Sequence, residues 1–119
     1  MSLSDSTTMW HVTLTLGGEP VERQEVRSAL ERLSQERPFL VSARYAGDRA
    51  ELRYWEQADC LDDAAAMALR LWGEHRASAD LPPWRVVGLE VVDRETFHLH
   101  AGRATQYSAL APAGQFTPF

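Results

Sequence analysis

Histidine, arginine and tryptophan carry the chemistry this chain can offer. Five of them form the candidate site: His11, Arg53, Trp55, His98 and His100. A guanidinium clamps an anion through paired N–H donors, and an imidazole changes charge near neutral pH. Such a set suits a small acidic ligand better than a nucleotide, whose several phosphates would want more positive charge. His98 and His100 are two residues apart, so on an extended segment both point the same way. With His11 they make three imidazoles, enough to hold zinc if they converge. Asp93 and Glu95 are near in sequence, but neither is assured as a further ligand, and solvated histidines are the commoner case. No metal and no other cofactor is assigned.

Gathering these residues needs a sheet, and the sequence supplies one. From Met9 to Leu16, Trp10, Val12, Leu14 and Leu16 alternate with His11, Thr13 and Thr15, the period of a strand with one buried face. Val26, Ala29, Leu30 and Leu33 then make one apolar stripe of a helix over 21–35. Strands over 39–45 and 50–55 flank a tight turn at Ala46, Gly47, Asp48 and Arg49. A second helix starts with Asp59 as its N-cap and buries Leu61, Ala65, Ala68 and Trp72. A fourth strand follows Pro82 and Pro83, over 84–92.

The order strand, helix, strand, strand, helix, strand, with a hairpin in the middle, is the signature of a ferredoxin-like βαββαβ sandwich. The expected fold class is α+β: a four-stranded antiparallel sheet in the order 4-1-3-2, two helices on one face, and a C-terminal tail. Strands one and three are then central and expected to run parallel. That sets His11, Thr13 and Thr15 beside Arg53 and Trp55, with Ser42 and Arg44 beyond. Strand four runs back along strand one, so its exit brings His98 and His100 towards His11. Trp10, Val12, Leu14, Leu30, Leu33, Val41, Leu52, Leu61, Ala68 and Trp72 should share one core. The chain divides into a flexible N-terminus at 1–8, a domain at 9–92, and an extension at 93–119 that covers a sheet edge or a partner.

The fourth strand is unlike the rest. Val87, Leu89 and Val91 alternate onto one face, and Val86 and Val92 onto the other with Gly88 and Glu90. Strands apolar on both sides are normally covered on both. Two helices cover one face only, so the tail or a second subunit must cover the other. The stretch Thr96 to His100 reads as a fifth strand or a short helical turn, and the remainder as a tail without its own core, bearing Tyr107, Phe116 and Phe119 as isolated aromatics.

The pattern over Met9 to Val92 resembles the small uncharacterised bacterial proteins of ferredoxin-like fold, a resemblance that carries no activity with it. The sheet face with Arg53 and Trp55 also resembles an RNA-recognition sheet, on which bases stack against aromatic rings. The segment Arg49, Ala50, Glu51, Leu52, Arg53, Tyr54, Trp55 departs from that family's paired aromatics, and Glu51 would repel phosphate. The turn at Gly17 and Gly18 is similar to the one beside which ACT-type amino-acid sensors bind their ligand. Glu19 and Glu22 oppose an anion there, and a tight turn is the simpler reading. Cys60, beside Asp59, Asp62 and Asp63, reads as inert, because negative neighbours disfavour a thiolate.

Composition narrows the classes. The 119 residues make one domain, with a net charge of −5 and a pI near 5.3. A polyanion-binding surface is therefore not expected, and neither is a membrane partner, since no apolar run approaches the ~20 residues of a spanning helix. All twelve basic residues are arginine, which excludes Schiff-base lysine chemistry. One cysteine excludes an internal disulfide and points to a cytoplasmic location. No Ser/His/Asp set, metalloprotease motif or dinucleotide fingerprint is present. The expectation is a non-enzymatic homodimeric interaction or regulatory module. The alternative is a binding protein or enzyme for a small acidic metabolite, with its site on the open sheet face.

Overall fold

The computed structural model describes residues 8–37, 40–103 and 115–119. It is an α+β structure with a mixed five-stranded sheet and three helices. In chain order these are β1 (Thr8–Gly17), α1 (Arg23–Glu36), β2 (Leu40–Ala46), β3 (Arg49–Ala58), α2 (Leu61–His75), β4 (Arg85–Asp93), α3 (Arg94–Arg103) and β5 (Gln115–Pro118). The sheet order is β4-β1-β3-β2-β5. The 4-1-3-2 order holds, but the sheet is neither four-stranded nor wholly antiparallel: β5 adds to β2 in parallel.

A second correction concerns the central pair, since β1 and β3 run antiparallel. The physical reason is the crossover. A helix returning the chain between β1 and β2 makes those two strands parallel, so β3, hairpinned to β2 and inserted between them, must run the other way.

Alternation on β1 does what its sequence implies. Val12, Leu14 and Leu16 are fully buried against Val26, Ala29, Leu30 and Leu33 of α1 and Ala68, Leu71 and Trp72 of α2. Leu52 and Tyr54 of β3 and Ala43 and Tyr45 of β2 complete this face. Trp10 sits at its rim, half-buried, with its indole N–H donated to the Ala58 carbonyl at 3.1 Å. Phe39 and the side chain of Val41 lie outside the described residues.

Expectation and structure part on α2. Leu61 is 46% exposed, and the buried stripe is Ala64, Ala68, Leu71 and Trp72. Its N-cap is Cys60 rather than Asp59. The helix is rotated by its two largest anchors: Leu71 and Trp72 face the sheet, and a run of alanines offers too little size contrast to resist them. Trp72 stacks on Trp84 at 6.1 Å between ring centroids, and both indoles donate to backbone carbonyls, of Pro82 and Glu19.

That second tryptophan explains the glycine turn. A Cβ on Gly18 would stand 2.6 Å from the Trp84 ring, so only glycine lets the indole seat there. The turn is packed by an aromatic plug, which is the tight-turn reading in physical form.

On β4 the side-chain phase slips. Thr15 pairs with Gly88 and Leu16 with Val86, leaving Val87 as the extra residue of a bulge. Val86 therefore joins Leu89 and Val91 on the core face, while Val87 is 57% exposed. None of the nine residues of β4 is fully buried.

Candidate functional site

The face of the sheet away from α1 and α2 carries three of the predicted residues, His11, Arg53 and Trp55. Register places His11 between Trp55 of β3 and Val92 of β4. One step along, Thr13 lies between Arg53 and Glu90, and Ser42 lies beyond Arg53. A further step sets Thr15 beside Glu51, with Arg44 beyond. Opposite charges thus interleave across the face.

One corner is closed by α3. Asp93 accepts a hydrogen bond from the Thr96 amide at 2.7 Å, the geometry of an N-cap carboxylate. That contact holds the Asp93 carboxyl below its usual range. The helix it starts lays Phe97 over the sheet, 4.2 Å from the His11 ring and 4.9 Å from Trp55, while His11 and Trp55 stand 5.1 Å apart edge to face. These are the separations of well-packed aromatic rings.

His11 is consequently only 6% exposed. Burial first, and the neighbouring Arg53 charge second, lower its pKa from 6.5 to about 4. The imidazole is thus neutral at physiological pH and acts as a packed aromatic. Arg53 remains half in solvent, with Nε 3.6 Å from a Glu51 carboxylate oxygen that has no hydrogen-bond partner among the described residues.

Of the five predicted residues, the structure joins His11 and Trp55 directly and sets Arg53 one position away. His98 is exposed, its ring 5.7 Å from Phe97 on the neighbouring position of α3. The side chain of His100 lies outside the described residues. Phe97 is the member of this aromatic corner that sequence reasoning missed. Its signal was Asp93, an N-cap residue type, followed by the acidic Glu95, a helix start that would have placed an aromatic in the first turn.

The far corner of the same face is finished by Phe119. Its ring lies 4.8 Å from the Arg44 guanidinium and 5.9 Å from that of Arg49, within cation–π range. A concavity lies elsewhere, beside α2. An open groove of about 500 Å3 runs between Gln57, Ala58 and Asp59 at the end of β3 and Asp63, Met67 and Arg70 of α2. It contains none of the predicted site residues. Among the described residues no cluster of three metal-ligating side chains forms, and no helix is long and apolar enough to cross a membrane.

Chemically, the open face is a mixed-charge sheet with an aromatic cap at each end. It can pair with a surface of interleaved charge or present Arg53 to an anion. No curated protein and no solved structure matched the chain. Residues 9–108 match a family described as a domain of unknown function (DUF8830), and the chain belongs to that family.

Proposed function

We propose that this protein is a non-enzymatic module that works as a homodimer, its first four strands and first two helices following a ferredoxin-like plan. The observation that carries this reading is β4. Val86, Val87, Leu89, Val91 and Val92 make it strongly apolar, yet no residue of it is fully buried. Each valine left in water forgoes on the order of 1–2 kcal/mol of burial, so a second surface against β4 would be stabilising. The interleaved Glu51, Arg53, Glu90 and Arg44 suit a symmetric partner, because a surface bearing both signs can meet a rotated copy of itself. The net charge of −5, with Glu51 and Glu90 on the open face, disfavours nucleic acid as a partner. Sedimentation equilibrium of the full chain tests the reading. A dimer across the micromolar range is expected, and a monomer throughout that range overturns it.

A second reading keeps one supporting observation, the half-exposed Arg53 guanidinium beside the aromatic corner. A small acidic metabolite would bind there through Arg53, with Trp55 and His98 at the rim and His100 following on α3. A thermal-shift screen of small carboxylates separates the two. Stabilisation that vanishes in Arg53→Ala supports the ligand reading, and stabilisation indifferent to that change sends the ligand elsewhere.

A further inference from the structure

The two edges of the sheet differ in a way that selects the dimer surface. Among the described residues β4 bonds only to β1, so its other backbone groups face outward along the strand. Sheet edges are ordinarily blunted by lysine, proline or a covering segment. The β2 edge is covered by β5, which ends in Pro118. The β4 edge contains neither lysine nor proline, and only the bulge at Val87 interrupts it.

Building on the homodimer reading, we propose that β4 pairs antiparallel with β4 of a second copy about a two-fold axis at Leu89, fusing the two sheets into one. The sequence of the strand favours this register. Leu89 meets Leu89, the bulged pair Val86 and Val87 lies opposite Val91, and Glu90 meets Gly88 of the second copy. The ends bring Arg85 towards Asp93, so the charged termini attract. An axis at Glu90 would set that carboxylate against itself, which is destabilising in a directly opposed pair. An axis at Gly88 would bring Asp93 opposite Pro83 and leave Arg85 facing Val91. Antiparallel pairing also puts the two α3 helices at opposite ends of the seam, where they do not compete for it.

The register is testable in the full chain by disulfide trapping. Cys60→Ser removes the only thiol, and Leu89→Cys then places one thiol per copy on the axis. Antiparallel partners have Cα atoms roughly 4.5–5.5 Å apart, inside the span a disulfide accepts. Mild oxidation should give a covalent dimer on non-reducing electrophoresis. The same treatment of Leu99→Cys, a 64% exposed position on α3, should give a monomer. Because Leu89 packs partly against the core, Val87→Lys provides a second probe at an exposed site. Lysine on the seam should raise the dimer dissociation constant by about tenfold or more, with the melting temperature of the monomer unchanged. A dimer that neither traps through Leu89→Cys nor weakens with Val87→Lys overturns the edge register and leaves the homodimer standing. A monomer in sedimentation overturns both.

Discussion

One edge of this sheet is finished by the chain itself and the other is not. At the β2 edge, β5 adds four residues in parallel, seats Phe116 against the core beside Ala43, and lays Phe119 across Arg44 and Arg49. At the β4 edge nothing described is added, and α3 covers only the face behind it, through Phe97 on His11 and Trp55. The lesson is that apolar sequence does not say where cover will come from. β4 is richer in valine and leucine than β1, yet central β1 is packed to zero exposure at Val12, Leu14 and Leu16, while β4 is nowhere fully buried.

The largest effect should come from pH at the α3 corner. Folding holds the His11 imidazole neutral down to about pH 4, whereas the unfolded chain takes up the proton near 6.5. The folded pKa is the lower one, so this contribution is complete above about pH 6.5 and is lost as pH falls towards about 4. The loss amounts to at most about 3 kcal/mol. Urea midpoints measured between those limits should fall steadily. In His11→Phe, which keeps a ring against Phe97 and Trp55 but cannot titrate, the profile should be flat until pH falls into the carboxylate range. A steep profile in His11→Phe would assign the pH dependence to another group. Phe97→Ala should admit water to the imidazole, cost about 2 kcal/mol at pH 7, and shrink the pH dependence. Glu36 and Asp93, held low by Ser78 and Thr96 respectively, add their own losses as pH falls through the ordinary carboxylate range and below it.

The β5 edge should respond less. Phe116 is only partly buried, so Phe116→Ala should cost about 1–2 kcal/mol, with no change in the pH profile set by His11. Denaturant unfolding at pH 5 and pH 7 checks both halves of that statement. If Phe116→Ala altered the pH slope, the two corners would be coupled through the sheet and the comparison between them would fail.

What could be read from the sequence follows the range of the signal. The alternation of β1, the stripe of α1 and the Gly47–Asp48 hairpin are local patterns, and each strand or helix formed within a few residues of expectation. The bulge at Val87 was invisible because one extra residue leaves the composition of β4 unchanged while moving Val86 to the core face. The burial of Leu61 was misjudged because the alanines around it allow several helix rotations. Residues His11, Arg53 and Trp55 were correctly placed on one face, since two-residue periodicity fixes the face once the strands are known. Their electrostatic state was not legible. Neutral His11 depends on Phe97, which comes from beyond β4, and the pairing of Phe116 with Ala43 spans most of the chain.

The smallest effect tests why Pro118 stands in a strand at all. The Phe119 amide donates to the Tyr45 carbonyl at 2.8 Å, so residues 117 and 119 direct their backbone groups towards β2 and residue 118 directs its own outward. Proline therefore costs the β2–β5 ladder nothing and removes one donor from the new outer edge. Pro118→Thr should lower folding stability by no more than the ~0.4–1 kcal/mol expected from a more flexible unfolded chain. What should change is association: light scattering on slow heating should rise earlier in Pro118→Thr than in the parent, because the outer edge regains a donor for pairing. Unchanged scattering with the full stability loss would mean that Pro118 stiffens the segment rather than guarding the edge. The β4 edge, with no proline, would then be the ordinary state of this sheet rather than the exception.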